Sequence, residues 1–183
     1  MSERQVKLHL LSRDSFQEYG DVIEIPTSSN DAGKATEANQ GTASKFHFLA
    51  NVCNQRPQAR ANVCVFQCQP RNVTSSVFRV SILERHPFSN QIFQPIADRF
   101  PIRYIVIVAL NDPTTDRPDL NTLKCFLAHG GQGVNYREGC WHHPMIALDQ
   151  VTNFMVLVHE DGSEGDCEVV DIEQPFDLEI PEV

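Results

Sequence analysis

The chain has 183 residues, of which 41% are hydrophobic and 21% are charged, and its formal net charge is −9. This size and composition predict one globular domain over residues 1–183 with a substantial core. The acidic charge argues against nucleic acid or an anionic membrane surface as a partner, because both bind basic surfaces. The N-terminus has no signal-peptide pattern and no apolar run is long enough to span a bilayer, so we expect a cytoplasmic protein.

One segment near the N-terminus has the signals of a short helix. Residues 12–26 read "SRDSFQEYGDVIEIP", in which Ser12 or Asp14 is suited to cap a helix and Gly20 to end it. Residues 27–44 are small and polar without an apolar period. They predict an exposed loop.

From Phe46 onward, short apolar or alternating runs recur between turn signals. They read "FHFLANV", "NVCVFQ", "SSVFRVSIL", "YIVIVAL", "LKCFLA", "MIAL", "FMVLV" and "CEVVDI". Many short strands with hardly any helical period predict an all-β sandwich or barrel, since a parallel α/β fold would need intervening helices. The glycines of "HGGQGVNY" are interpreted as a turn, because no helix with capping signals follows them.

The run "VSILERH" is the first candidate for chemistry. If it is a strand, its two-residue period puts Glu84 and His86 on one face and Arg85 on the other, outward-facing side. Pro87 ends the regular pairing, and the strand resumes at Gln91 after a turn. The resulting pattern is Glu84-x-His86-x4-Gln91.

The run "CWHH" is the second candidate. Strand period places His142 on the face of Cys140, while Trp141 and His143 share the opposite face, where we expect packing at a barrel wall or a dimer contact. The spacing Gly139-x-x-His142 after a turn is similar to the second motif of cupins. Cupins are small β-barrels whose first motif is typically His-x-His-x4-Glu, which matches the first candidate in spacing rather than in residue identity.

Glu84, His86, Gln91 and His142 allow two kinds of chemistry. Imidazole, carboxylate and amide oxygen suit a borderline divalent ion such as Ni, Zn or Mn, although a site with one Gln and no thiolate would be weak and open. Without a metal, a carboxylate beside imidazoles forms an acid–base pair that titrates near neutrality. The sequence leaves both alternatives open.

Read together, these stretches resemble the ureidoglycolate lyase family of bacteria and fungi. The matching blocks are "FQEYGDVIE", "ERHPFSNQIFQPI", "YIVIVALND", "PDLNTLKCFLAHGGQGVNYREGCWHHPMIAL", "VTNFMVLV" and "DCEV", in order over nearly the whole chain. The resemblance implies a cupin-like β-barrel that forms a homodimer. It also implies a lyase that splits ureidoglycolate into glyoxylate and urea in allantoin degradation.

The resemblance carries over functional roles to individual residues. Glu84, His86 and His142 become candidates for catalytic acid and base, with Glu84 able either to orient an imidazole or to act as the base itself. Gln91 becomes a candidate for substrate binding, and so does His143, although strand period favours packing for the latter.

A further block, "ANQGTASKFHFLA", resembles a family segment in which Asn-Gly precedes a basic residue and an aromatic. It makes Asn39 and Lys45 candidates for substrate binding. Lys45 stands where the family leads us to expect Arg, so it would neutralise a substrate carboxylate without a bidentate grip. The polar loop of residues 27–44 could close over the site and exclude water, but the sequence does not decide whether it does.

Two other functions remain as alternatives. The first is a cupin-type binding module that senses a small carboxylic acid, but such modules are usually fused to a DNA-binding segment, which this sequence does not contain. The second is another metal-dependent cupin enzyme, such as an isomerase or dioxygenase. Iron chemistry normally uses two or three His with a carboxylate, and Gln91 in place of Glu weakens that alternative.

Overall fold

A computed structural model describes residues 6–26, 35–71, 77–96 and 102–180. Within these ranges it contains one short α-helix, two single-turn 3-10 segments at Asn39–Gly41 and Glu164–Asp166, and fourteen strands. The helix is α1 (Arg13–Phe16), and the strands are β1 (Leu8–Leu10), β2 (Gly20–Ile23), β3 (Ala35–Ala38), β4 (Ala43–Phe46), β5 (Arg60–Cys68), β6 (Val77–Arg85), β7 (Gln91–Pro95), β8 (Arg103–Asp112), β9 (Arg117–His129), β10 (Gly133–Tyr136), β11 (Trp141–His142), β12 (Ile146–Ala147), β13 (Thr152–Glu160) and β14 (Glu168–Glu179).

The strands form two principal sheets and one separate hairpin. The seven-stranded sheet has the order β1-β9-β8-β11-β6-β14, with β12 also paired to β8, and the five-stranded sheet has the order β2-β10-β7-β13-β5. Strands β3 and β4 pair only with each other in the described part of the chain. The prediction of an all-β, cupin-like fold with a short N-terminal helix is confirmed, and within the described ranges no helix is long and apolar enough to cross a bilayer.

Strand alternation in β8 fills two cores. Tyr104, Val106 and Val108 point to a first core, which lies between the two sheets and also contains Phe93 and Phe154 from the five-stranded sheet. The intervening residues of β8 point to a second core together with side chains of β6, β11 and β14. Because the members of this second core lie on or beside the seven-stranded sheet, that sheet curls around its own outer face. Both faces of β8 are therefore buried.

The short N-terminal helix differs in detail from the prediction. Ser12, rather than Asp14, caps it, with its hydroxyl accepting a hydrogen bond from the Ser15 N–H at 3.2 Å. Gly20 does not end the helix but begins β2, at a φ of 155°. A Cβ at this position would lie 1.8 Å from the carbonyl oxygen of Asn135, so glycine is required for the β2–β10 pairing.

The predicted loop of residues 27–44 is only partly within the described chain. Residues 27–34 lie outside the described residues, and residues 35–44 belong to the β3–β4 hairpin rather than to a loop. The hairpin tip carries Asn39 and Gln40 at φ values of 49° and 56°, a conformation that a polar-residue count does not predict. The expected strand "FHFLANV" is also wrong beyond Phe46, where β4 ends.

Candidate active site

Strand pairing brings the two sequence candidates into direct contact. Strand β11 lies between β6 and β8, and its His142 is the antiparallel register partner of Glu84 on β6. Side chains of register partners stand on the same face of a sheet. Oε1 of Glu84 therefore lies 3.6 Å from Nε2 of His142.

His142 is the most enclosed member of the site, with 1% of its surface exposed. Its Nδ1 lies 3.0 Å from the carbonyl oxygen of Cys140, so Nδ1 carries the ring proton and donates it. The ring stacks on Tyr136 with centroids 4.0 Å apart and planes 6° apart. Burial, followed by repulsion from His86, lowers the pKa of His142 to about 3, so the imidazole is neutral at physiological pH.

His86 has the same tautomer as His142. Its Nδ1 lies 2.6 Å from the carbonyl oxygen of Asp166, which fixes the ring proton there. Its Nε2 is buried and makes no well-formed hydrogen bond among the described residues, although the Gln91 side chain is close enough to raise the pKa of His86. Burial lowers the pKa of His86, although the bond to Asp166 opposes this shift. The His86 and His142 rings are nearly parallel, with centroids 5.8 Å apart, and each Nε2 carries a lone pair.

Glu84 differs electrostatically from an ordinary surface carboxylate. Its side chain is 21% exposed, and burial raises its pKa. Since His142 is neutral, the contact of Glu84 with His142 is not a salt bridge at neutral pH. A carboxyl group with a raised pKa can carry a proton and release it in a reaction, and a neutral imidazole can accept one. The site can therefore act as an acid–base pair.

Gln91 joins the second sheet to this site. It is 5% exposed at the start of β7, where it pairs with Tyr136 on β10. Its amide oxygen lies 3.2 Å from Nε2 of His142. Because this Nε2 carries a lone pair, Gln91 forms a hydrogen bond to it when the amide is turned to present its NH2 group. These contacts bring Glu84, Gln91 and His142 together in one interior region, and His86 joins them through its ring stack with His142.

Lys45 and Asn39 lie elsewhere in the described chain. Both are exposed on the β3–β4 hairpin, Asn39 at its tip and Lys45 on β4. Within the described residues, no hydrogen bond or ion pair joins either side chain to Glu84, His86, Gln91 or His142. Their role in substrate binding stays a prediction.

The side chains on the opposite face of β6 and β11 contribute to packing. Trp141 is fully buried in the second core, and His143 packs edge-on against Phe78 with ring centroids 5.2 Å apart. These contacts support packing for His143 and give no support to its predicted substrate-binding role. Arg85 does not face outward as expected: it is 6% exposed, and its guanidinium lies 4.4 Å from the Trp141 ring. Trp141 and the carboxylates of Asp116 and Glu168 enclose it.

The predicted metal site rests on Glu84, His86, Gln91 and His142. The described residues contain no group of three or more His, Cys, Asp or Glu side chains arranged to hold a metal ion. Both Nδ1 atoms donate to backbone carbonyls, which leaves each Nε2 unprotonated and does not argue against a metal ligand at that atom. The site for a divalent ion such as Ni, Zn or Mn stays a prediction, and no chemical step is assigned to one.

Two contributors to the site were missed in the sequence. The Tyr136 ring stacks on His142. Its position in the run "GVNY", two residues after Val134, could have identified it as an inward-facing side chain. Asp166 contributes a backbone carbonyl, which side-chain identity does not reveal. It also lies 80 residues from His86 in the chain.

An all-β, cupin-like fold with a partly buried carboxyl group near two neutral imidazoles is typical of an acid–base enzyme. A sequence model of the ureidoglycolate lyase family matches residues 3–179. A ureidoglycolate lyase of Burkholderia cepacia is 37% identical over 176 residues, which cover 96% of this chain and 90% of that protein. A ureidoglycolate lyase of Escherichia coli O139:H28 is 37% identical over 162 residues, covering 88% and 91% respectively.

This chain belongs to the ureidoglycolate lyase family. The match extends over nearly the whole chain, which confirms the family resemblance drawn from the paired "ERHP" and "WHHP" blocks. It does not favour a binding module for carboxylic acids or another metal-dependent cupin enzyme.

Proposed function

We propose that this protein is a lyase that splits ureidoglycolate into glyoxylate and urea, with Glu84, His86 and His142 as its catalytic residues. Family membership supports the reaction. The observation that supports these residues is the shared tautomer of His86 and His142. Both rings donate Nδ1–H to a backbone carbonyl, so both present an unprotonated Nε2, and His142 contacts the Glu84 carboxyl group, whose pKa burial raises.

The reaction requires one proton to be removed and one to be delivered. Ureidoglycolate is a carbinolamide that bears a carboxylate, and its C–N bond breaks as the hydroxyl becomes the aldehyde of glyoxylate. The hydroxyl proton leaves to a base, while the urea nitrogen takes up a proton so that urea departs as a neutral molecule. No net proton is gained or lost, and no redox partner is needed.

His86 is the base in this proposal, because its buried Nε2 has a lone pair that makes no well-formed hydrogen bond among the described residues. Glu84 is the acid, because burial raises its pKa. His142 lies against Glu84 at 3.6 Å and against the Gln91 amide at 3.2 Å. After the reaction His86 holds the hydroxyl proton and Glu84 has lost one. His142 stacks on His86 and contacts Glu84, so it is placed to pass a proton from His86 to Glu84 and restore both groups.

The substrate carboxylate also has to be held. We propose that Lys45 neutralises it and that Asn39 and Gln91 supply hydrogen bonds, with the β3–β4 hairpin moving toward the site when substrate binds. The exposed position of the hairpin, paired only with itself in the described chain, supports such a movement.

A homodimer, a cytoplasmic location and a role in allantoin degradation belong to the same proposal, because the family resemblance implies them. Exposed apolar side chains on β5 support the dimer: Val63 and Val65 are each 61% exposed and Phe66 is 47% exposed. Strand β5 ends the five-stranded sheet within the described chain. An exposed apolar edge strand is otherwise a liability to aggregation.

The experiment measures glyoxylate release by purified protein and by His86→Asn and His142→Asn variants. We expect each variant to lose activity on the order of 100-fold or more while keeping its unfolding transition. His9→Asn is the matched control, since His9 is exposed on β1 and lies outside the site. Full activity in the His86 and His142 variants would show that the reaction occurs elsewhere.

A further inference from the structure

The orientation of His86 depends on a segment that has no direct role in the proposed reaction. Its Nδ1 donates to the carbonyl oxygen of Asp166 at 2.6 Å, in the segment of residues 161–166, hereafter the 161–166 loop. This bond keeps the ring proton on Nδ1 and leaves Nε2 free. If the carbonyl moved, the ring could rotate or take the other tautomer, in which Nε2 carries the proton and is no longer a base.

The Asp166 carboxylate folds the 161–166 loop back on itself. It accepts the backbone N–H of Asp161 at 3.0 and 3.1 Å and that of Gly162 at 2.6 Å. The Asp166 N–H in turn donates to the carbonyl of Ser163 at 3.1 Å. These bonds fix the Asp166 peptide, and with it the carbonyl that His86 uses.

Arg56 ties the 161–166 loop to the body of the protein. Its guanidinium bonds to Asp166, to Asp161 at 3.3 Å and to the Ser163 hydroxyl at 2.9 Å. The Arg56 side chain is 12% exposed, and those of Asp161 and Asp166 are 17% and 16% exposed. Three partners on one planar guanidinium give a geometry that a lysine ammonium does not reproduce.

Arg56 is itself anchored from two sides. Its N–H donates to Oδ1 of Asn54 at 3.0 Å, and its carbonyl accepts from Nδ2 of the same residue at 2.8 Å. Its guanidinium lies 5.6 Å from the Phe88 ring centroid, two residues beyond His86. The cation therefore bridges the turn that follows His86 and the loop that bonds His86.

We propose that Arg56 and Asp166 are positioning residues that hold His86 with its Nε2 unprotonated and aimed into the site. Neither side chain contacts the reacting atoms in this proposal. The inference rests on the proposed role of His86 as base. It adds to the proposed active site the 161–166 loop, which lies about 80 residues further along the chain.

The experiment compares Arg56→Met and Arg56→Lys with Glu164→Gln, a matched control in the same loop whose side chain is exposed. Steady-state kinetics and the ¹⁵N shifts of the His86 ring are measured on each variant of the full chain. We expect Arg56→Met to lower kcat on the order of 10- to 100-fold with KM changed by less than about threefold. Arg56→Lys should recover part of the loss, and Glu164→Gln should match the wild type.

The ring shifts separate this inference from the proposed function. In the wild type His86 should show a protonated Nδ1 and an unprotonated Nε2, whereas Arg56→Met should show exchange between tautomers. Wild-type ring shifts and kcat in Arg56→Met would overturn the inference while leaving the lyase assignment intact. If Arg56→Met does not fold, the nearly isosteric Asp166→Asn decides by the same two measurements. A wild-type protein without lyase activity would refute the proposed function, and the ring shifts would still decide the positioning role.

Discussion

Replacing Glu84 by Gln removes the proposed acid while preserving its shape. Oε1 of Glu84 lies 3.6 Å from Nε2 of His142, so an amide of the same size keeps a polar contact with His142 but has no proton to transfer at working pH. General acid–base groups typically contribute 10²- to 10⁴-fold to a rate, which corresponds to about 2.7 to 5.4 kcal/mol in the activation barrier. We expect kcat to fall by this range.

The Glu84→Gln replacement should affect stability differently from activity. Burial raises the pKa of Glu84 in the folded protein above its value in the unfolded chain. The folded state therefore favours the protonated carboxyl group, and an ionised Glu84 becomes increasingly unfavourable to the fold as pH rises through the folded pKa. Glu84→Gln removes this charge, so at neutral to mildly alkaline pH the variant should be at least as stable as the wild type.

Glyoxylate release and thermal unfolding, measured on the same preparations, test both expectations. Glu173→Gln on β14 is a suitable control, because Glu173 is exposed and lies outside the site. A Glu84→Gln variant that keeps wild-type kcat would refute the assignment of Glu84 as acid. A lower kcat with a markedly lower unfolding temperature would instead assign Glu84 a structural role.

Three further predictions concern the pH profile, Lys45 and Tyr136. The acidic limb of the pH profile of kcat/KM should lie below pH 6.5, because burial lowers the pKa of the base His86 below its ordinary value of 6.5. An acidic limb above pH 6.5 would contradict the assignment of His86 as base. Lys45→Met should raise KM about tenfold or more with kcat little changed, and Lys45→Arg should restore binding; an unchanged KM would exclude Lys45 as a carboxylate contact. Tyr136→Phe should raise the free energy of unfolding, measured by chemical denaturation, by about 1 kcal/mol. The Tyr136 hydroxyl is buried without a partner among the described residues, and phenylalanine keeps the ring stack with His142. A clear loss of stability would mean that this hydroxyl is hydrogen-bonded.

Strand alternation was sufficient to predict the face of the site. The two-residue period put Glu84 with His86 and separated His142 from Trp141, and the register pair of Glu84 with His142 follows from those faces once β6 and β11 are neighbours. Continuous apolar runs predicted other strands: "YIVIVAL" forms the part of β8 that is buried on both faces.

Features set by long-range pairing were beyond the sequence. Arg85 was expected outside, because alternation gives the two faces of a strand but not the groups that cover them. Trp141, Asp116 and Glu168, which are distant from Arg85 in the chain, cover it in the fold. The β3–β4 hairpin depends on left-handed backbone at Asn39 and Gln40, which neither residue type signals strongly. The contact between Arg56 and Asp166 spans 110 residues, so no local pattern indicates it.

The central claim is that this chain splits ureidoglycolate by acid–base chemistry between Glu84 and His86. The most direct measurement is a coupled assay of purified protein that follows glyoxylate and urea together, with and without EDTA, in the wild type and in His86→Asn. The account predicts equal amounts of glyoxylate and urea, no loss with EDTA, and loss of both products in the variant. Release of ammonia in place of urea, or activity that EDTA abolishes and a divalent ion restores, would contradict it.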